Sequence, residues 1–529
     1  MFRIEFLKLT KHPQLGTIEL NLSEFTEYKK ADVPYTSVII GSNGTGKSFI
    51  LRTIAEIFRQ FQEYSVSESE KKIFNLPYSF HLRYQLLGNT YEIVTRKLEV
   101  LTGNKRKDYV YYKNRPIDVS FDGEILFEKK TGFEINHKEL EFPEKLLVNS
   151  IMNNDRFVFK KSEREDFYQY LGVRSTSSTA STKSLTKRTI NTIYEARELN
   201  TNFKSSLKEL LNLLEFKERF RVRYNTKIYK LFFSGDLTED NFKQYFEHWW
   251  DEDFIYSKRE EKNPLWSIPY YNNNVKNNSE LLKQLVSYLN QISNEKNRFE
   301  DPLKPRSNVI AVDVLNDDIT SEEIKLIQHL KDLDIIDILG IDITKDYLNI
   351  SISEISSGEY HLLISMIGIF ANLPDNSLIL IDEPEISLHP NWQMRYITFL
   401  KKVFSKFNGC QFVLTTHSHF LVSDLEPKSS HLLGVKKENN IIKSMGIKSD
   451  TYGWSAEDVL YNIFDVPSTR NFYVAKEVGS ILKEISKKEI NRSQITNKIK
   501  KLSNLKRSLK ENDPLRSLII KVEKEFIDA

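Results

Sequence analysis

The sequence has one cysteine, Cys410, in 529 residues. A single thiol excludes an internal disulfide and a thiolate zinc site. Its neighbours Phe412, Val413 and Leu414 are apolar, the setting of a buried, inert thiol. Such sparse cysteine fits a reducing cytoplasm. Long hydrophobic runs are missing too. The longest apolar stretch, 362–370, falls far short of the roughly 18–20 residues that a membrane helix needs. No signal peptide opens the chain, because Met1-Phe2-Arg3-Ile4-Glu5-Phe6-Leu7 alternates like a strand and carries charge inside the run. A soluble protein with no membrane partner is expected. An excess of one charge is also absent: Lys+Arg is 76 and Asp+Glu is 73, a formal net charge of +3. A global basic field is thereby excluded, so nucleic acid, which stays open as a ligand, must be met by local patches. The ten histidines do not cluster, apart from His417 and His419, which leaves no zinc constellation.

What is present is the balance of a folded protein, with 40% hydrophobic and 28% charged residues. The length calls for two or three domains. Met1 to about Leu22 reads as two strands with a turn near Gly16. Tyr35-Thr36-Ser37-Val38-Ile39-Ile40 is a β-branched apolar run, suited to a strand buried on both faces. A glycine-rich turn follows, and Phe49 to Phe58 has helical apolar spacing. Alternation from about Tyr78 to Phe127 predicts antiparallel strands, with Gly88-Asn89 and Gly103-Asn104 as turn residues. Lys145 to Val148 predicts another buried strand, and the small-polar run 175–182 a linker. Leu185 to about Gln291 reads as mainly helical, with Leu207, Leu210, Leu211 and Leu214 at spacings of three and four. Asp313 to about Ile352 returns to mixed helix and strand. The strongest apolar strand is Ser377 to Ile381, and Phe412 to Leu414 is another. Lys476 to Lys524 reads as helical and lysine-rich.

Gly-x-x-x-x-Gly-Lys-[Ser/Thr] is matched by Gly41-Ser42-Asn43-Gly44-Thr45-Gly46-Lys47-Ser48. Glycines let backbone N–H groups turn inward around phosphate oxygens with no Cβ in the way. The helix that follows points its N-terminus at the same anion. Lys47 can reach the β- and γ-phosphates, and the Ser48 hydroxyl can hold Mg2+. The strand 378–381 runs into Asp382-Glu383-Pro384, which puts two carboxylates at the strand edge where open α/β sheets bind ligands. Asp382 is the Mg2+ partner of Ser48, leaving Glu383 to polarise the attacking water. Ile355-Ser356-Ser357-Gly358-Glu359 precedes an apolar helix, again offering N–H groups to an anion. Taken alone it reads as an ordinary helix cap; its place upstream of Asp382-Glu383 favours the anion. A lone histidine is more often a satisfied structural residue, but His417 ends the next strand, where a γ-phosphate contact is needed.

These four segments, in this order, resemble the ABC ATPase superfamily: Walker A at Gly41–Ser48, the signature at Ile355–Glu359, Walker B at Leu378–Glu383 and the switch histidine at His417. The resemblance implies ATP and Mg2+ as cofactors and an α/β P-loop fold of mixed sheet, helices and an antiparallel β-subdomain. Binding falls to Gly41, Asn43, Gly44, Thr45, Gly46, Lys47, Ser48, Ser356 and Gly358, catalysis to Glu383 and His417, and metal to Ser48 and Asp382. It also implies at least a homodimer, because in that family the signature serine of one subunit touches the γ-phosphate held by the other. Glu385-Ile386-Ser387-Leu388-His389-Pro390 after the acidic pair looks like the RecF/OLD-like branch. Walker A and the signature lie about 310 residues apart, too far for a transporter domain and too near for SMC arms. The expected organisation is 1–184 and 308–475 as the two parts of the ATPase domain, 185–307 as an inserted helical domain and 476–529 as a basic helical tail. No glutamine stands after the strand expected to carry the Q-loop, where Asn149 precedes Asn153-Asn154-Asp155-Arg156-Phe157. Thr451 to Leu460 and Val466 to Asn471 resemble the C-terminal segment of ATPase subunits from Septu and retron anti-phage systems.

OLD proteins carry a Toprim nuclease, which needs a late Asp-x-Asp for two metals. None follows His417, and no HNH constellation is present. The Septu-type resemblance therefore implies a separate HNH nuclease subunit as partner. Lys487, Lys488, Arg492, Lys498, Lys500, Lys501, Lys506, Arg507 and Lys510 concentrate charge near the C-terminus, either as a solvated face or as a phosphate-backbone contact. Tyr245-Phe246, Trp249-Trp250, Trp266 and Tyr270-Tyr271 form an aromatic cluster, read first as packing and second as base stacking. Two rival functions stay open: a RecF-like DNA-binding repair ATPase, and an ATP-bound scaffold with little turnover.

Overall fold

Apolar runs and glycine turns build the central sheet and its carboxyl edge, in a computed structural model. It describes residues 1–447 apart from 24–32, 67–75, 102–103, 115–116, 120–124, 128–132, 162, 175, 177–181, 228, 248–266, 295–308, 316–318, 427 and 440, and beyond these 459, 476, 479–481, 483, 499–500 and 514–526. Two units are distinguished, Met1–Tyr452 and Gly453–Ala529.

In the first unit, β1 (Phe2–His12) and β2 (Gly16–Asn21) form a hairpin, and β3 (Tyr35–Ile40) leads into α1 (Lys47–Val66). All six residues of β3 are buried, as a β-branched run covered on both faces requires. Then come β4 (Ser79–Leu86), β5 (Asn89–Leu101), β6 (Asn104–Lys113), the small pair β7 (Ile117–Val119) and β8 (Ile125–Phe127), and β9 (Phe133–Ile135). A six-stranded sheet runs β2-β1-β4-β5-β6-β9, its pairs antiparallel. Chain order continues with β10 (Leu146–Ser150), β11 (Tyr168–Tyr170), α2 (Thr182–Leu199), α3 (Phe203–Leu213), β12 (Phe220–Thr226), α4 (Glu239–Glu247) and α5 (Ser279–Asn294). Next are β13 (Val309–Asp313), α6 (Ser321–Asp332), β14 (Ile336–Lys345), β15 (Leu348–Ser351), α7 (Ser357–Asn372), β16 (Leu378–Asp382), α8 (Pro390–Val403), β17 (Gln411–Thr416), β18 (Ser430–Glu438) and β19 (Ile441–Gly446).

The second sheet has the order β11-β10-β16-β17-β3-β18-β19. Its strands from β11 to β18 are parallel, and only β19 runs antiparallel. Helix α1 lies between the two sheets. Ile50, Leu51, Ile54, Ile57, Phe58 and Phe61 are buried in one core with Phe2, Tyr84, Val148, Leu380 and Val413. Phe58 meets Phe2 edge-on at 5.6 Å and Phe61 meets Phe80 at 5.6 Å, geometries favoured by the ring quadrupoles. Helix α7 buries residues on nearly every face, the signature of a helix covered all round, here with α2 and α3 as neighbours.

A third sheet of four strands, β13-β12-β14-β15, lies where the sequence reads differently. The stretch 185–307 is expected to be mainly helical, yet it contains β12, which pairs with β13 and β14 from beyond residue 307. Phe220-Arg221-Val222-Arg223-Tyr224 alternates with period two, and its burial follows that alternation; the surrounding charge masks the pattern. The aromatic cluster is packing where it is described. Phe246 stacks on Tyr271 at 4.7 Å with an interplanar angle of 11°, and Tyr245 is buried against Phe232. Trp249, Trp250 and Trp266 lie outside the described residues.

The second unit includes α9 (Pro514–Phe526), with Leu515 and Ile519 buried. Of the nine basic residues named between Lys487 and Lys510 only Lys500 is described, and it is exposed. The tail motifs at 451–460 and 466–471 lie outside the described residues apart from Val459. Among the described residues no helix is long and apolar enough to cross a membrane. Cys410 is buried and free, its thiol donating to Pro374 O at 3.4 Å; burial pushes its pKa far up.

Candidate functional site

Parallel register brings the sequence-separated motifs to one edge. Ser150 pairs with Asp382, Asp382 with Thr415, and Thr416 with Ile40. The chain therefore leaves β3 into the glycine loop, β16 into Glu383 and β17 into His417, side by side. This is the carboxyl edge at which open α/β sheets bind ligands.

The loop is shaped by what a side chain would meet. A Cβ on Gly41 would lie 2.2 Å from Val435 O, a backbone atom of β18. Gly44 and Gly46 have φ of +79° and +85°, open to glycine at little cost. Thr45 Oγ1 donates to Ser42 O at 2.8 Å and closes the curl. Asn43 is exposed on the loop. Gly41→Ala is expected to displace the loop or β18, lowering stability by about 1–3 kcal/mol. Thermal melting and ATP titration of the variant check this.

Lys47 begins α1 and is only 4% exposed. Its Nζ donates to Gly41 O at 2.9 Å and lies 2.7 Å from His417 Nε2. The same Nε2 lies 3.1 Å from Glu383 Oε1. A single ring nitrogen serves one of them at a time: unprotonated it accepts from Lys47, protonated it donates to Glu383. Burial lowers the Lys47 pKa to about 8, against the raising effect of Glu383, Glu385 and Asp382. The His417 bond holds Glu383 below the ordinary glutamate range, against burial. Glu383 also has φ of 49°, a left-handed backbone that a non-glycine residue adopts at a cost of about 1–3 kcal/mol.

Asp382 is 1% exposed. Its Oδ1 accepts from Ser48 Oγ at 3.0 Å and from Thr415 Oγ1. Burial raises its pKa, offset in part by those two hydroxyls. A hard divalent cation would relieve the buried charge, and the hydroxyl and carboxylate are the oxygen ligands that Mg2+ takes. Among the described residues no group of three His, Cys, Asp or Glu could hold a metal.

Ser356 stands apart. It caps α7 in a reciprocal capping box, its Oγ accepting from Glu359 N at 3.2 Å while its own N donates to Glu359 Oε2 at 3.1 Å. Ser356 is exposed and makes no hydrogen bond to the glycine loop, Asp382, Glu383 or His417 among the described residues. Gly358 is needed for close approach, since a Cβ there would lie 2.5 Å from Ser387 O. Asn149 pairs in register with Ile381, on the face opposite Asp382, and its Nδ2 donates to Leu171 O at 3.4 Å.

Sequence reading missed Glu385. Its Oε1 accepts the backbone N–H of His417 at 2.6 Å, and its Oε2 is buried. Burial raises its pKa, opposed by the His417 bond. A second acid two residues beyond Glu383 was the available signal. Glu385→Ala is expected to cost about 1–3 kcal/mol by orphaning the His417 N–H and to lower kcat. Glu385→Gln keeps an acceptor and should recover most of both; melting and phosphate release measure the pair.

The Septu protein PtuA of Bacillus thuringiensis is 27% identical over 144 residues, 27% of this chain and 34% of its own length. The Retron Vc95 probable ATPase of Vibrio cholerae is 26% identical over 264 residues, 47% of this chain and 48% of its own. These matches thus span a third to a half of the curated relatives. Among solved structures, the SMC head domain from Thermotoga maritima matches at 12% identity with a TM-score of 0.31, covering 84% of this chain and 100% of that one. Matched over residues 16–422, the chain belongs to the AAA_15 family, an AAA ATPase domain.

Proposed function

We propose that the chain is a Mg2+-dependent ATPase acting as a head-to-tail homodimer. In this reading it is the ATPase subunit of a cytoplasmic anti-phage complex that controls a partner nuclease of the HNH type. The observation that carries the ATPase is the joined cluster of Ser48 with Asp382 and Lys47 with His417 and Glu383, at one sheet edge. The anti-phage assignment is supported by likeness to Septu and retron proteins. A separate signature serine, exposed and distant in bonding from the loop, supports completion of the site by a second copy.

In this reading the glycine loop and the start of α1 bind the triphosphate through N–H groups, and Lys47 holds the β- and γ-phosphates. Ser48 and Asp382 would hold Mg2+, and a divalent cation there would supply charge neutralisation for the triphosphate. Glu383, kept ionised by His417, takes a proton from the attacking water as its oxygen bonds to the γ-phosphorus and the bond to ADP breaks. Ser356 of a second copy must exchange its bond to Glu359 for a phosphate oxygen. Hydrolysis then opens the dimer, and the stretch 185–307 or the tail 476–529 passes the change to the nuclease.

Co-purification of the chain with the products of its neighbouring genes, followed by mass measurement with and without ATP, tests the assembly. A co-purified nuclease and an ATP-dependent mass support it. If the chain stays at 62.2 kDa with ATP and Mg2+ and retains no partner, the proposal is wrong. Tight, steeply salt-dependent DNA binding by the isolated chain would instead favour repair.

A further inference from the structure

The segment Asn153-Asn154-Asp155-Arg156-Phe157 follows β10 and leaves the same sheet edge as Asp382. Its backbone is clamped on both sides of one residue. Asp155 is 8% exposed. Its carboxylate accepts from Arg174 at 2.6 and 2.9 Å, from Tyr170 OH at 2.6 Å and from Phe157 N at 2.9 Å. Arg174 also donates to Phe157 O at 2.7 Å, and Phe157 is itself buried. This is a charge-assisted network of fully used partners, which fixes geometry more than it adds stability.

Arg156, between the two clamped residues, is exposed. Its guanidinium sits over the Phe49 ring at 5.1 Å. Phe49 follows Ser48 in the first turn of α1, where backbone N–H groups have no intrahelical partner. Among the described residues Arg156 forms no ion pair, whereas Asp382, Glu383 and Glu385 all act on Lys47. Asp155 also adds to the field at Asp382, behind burial and the nearer Glu383. A rigid mount thus presents an arginine beside a phosphate loop whose surroundings are rich in carboxylates. A planar guanidinium on a fixed stem is suited to bidentate phosphate recognition.

We propose that Arg156 is a nucleotide-binding residue that contacts the α- or β-phosphate from the same subunit as Lys47, with Asp155, Arg174 and Tyr170 as its positioning residues. The proposal rests on the nucleotide reading of Gly41–Ser48. It concerns a contact common to ATP and ADP, so it differs from a γ-phosphate sensor.

The test is calorimetric titration of the full chain with Mg-ATP and with Mg-ADP, for wild type, Lys47→Ala, Arg156→Ala and Arg156→Lys. Arg156 is exposed, so its variants should melt like wild type. Arg156→Ala is expected to weaken both nucleotides about tenfold or more, and by similar factors. Arg156→Lys should recover only part of this, because the bidentate fork is lost. If Arg156→Ala binds both like wild type while Lys47→Ala fails to bind, the proposal is overturned and the nucleotide site stands. If only ATP is weakened, the α/β assignment is wrong. If Lys47→Ala binds like wild type, the nucleotide reading falls and this proposal with it. Unchanged affinity with altered turnover would mark Arg156 as a docking residue and also overturn the proposal.

Discussion

Glu383→Gln is expected to lower kcat for ATP hydrolysis by about 10²–10⁴-fold, the usual contribution of a positioned general base. Gln keeps the size of the side chain and an oxygen that can meet His417 Nε2, 3.1 Å away in the native protein. It cannot take a proton from water. Because it also removes a negative charge beside the triphosphate, ATP affinity should hold or rise. The effect is thus confined to kcat, and an ATP-bound dimer should accumulate. The His417 bond holds the Glu383 pKa below the ordinary glutamate value, so the acid limb of kcat/KM should lie below the usual carboxylate range. Phosphate-release kinetics with a parallel ATP titration measure both quantities. A drop of less than about tenfold in kcat would remove Glu383 from the role of base. It would favour a protein that binds ATP as a scaffold.

Lys47→Ala should abolish that accumulation by acting one step earlier. A hydrogen bond to a charged group is worth about 1.5–3 kcal/mol, and Lys47 faces two phosphates. ATP affinity should therefore fall by about 100-fold or more. Burial supplies a second signature. The lysine pKa is lowered from 10.5 to about 8, so above that pH the free protein holds a neutral amine and nucleotide binding must take up a proton. ATP affinity should weaken with rising pH above about 8 in the wild type and lose this limb in the variant. Folding shows the opposite slope. Between about 8 and 10.5 the unfolded chain holds a proton that the folded chain has lost, so stability rises with pH across that window. Lys47→Met should remove that rise, as read from melting temperatures across the range.

The parts legible in the sequence are those in which local chemistry and long-range position coincide. The run Tyr35–Ile40 is apolar because its strand is central, and the glycines that follow are spaced for a turn with positive φ at Gly44 and Gly46. Leu378–Asp382 is legible for the same reason: five buried residues end in the acid that meets Ser48. What escaped depends on partners far away in sequence. Glu385 gains its place from a backbone N–H that is 32 residues distant, and no local pattern encodes that. The Asp155 clamp needs Arg174, 19 residues on. Strand β12 is hidden because Arg221 and Arg223 put charge on its half-buried face, so its two-residue period reads as polar helix in the sequence. Its pairing with β13 and β14 is what draws residues on both sides of 307 into one sheet.

The division of the site between Lys47 and Ser356 can be read directly by mixing two inactive variants. Lys47→Ala spoils the loop and Ser356→Arg spoils the signature. If the two halves come from different subunits, a mixed dimer has one doubly damaged site and one intact site. Steady-state ATPase activity should then reappear on mixing, at about a quarter of the wild-type value if half the dimers are mixed. A mixture as inactive as its components, or a Ser356→Arg protein with full activity on its own, would contradict a site shared between two copies.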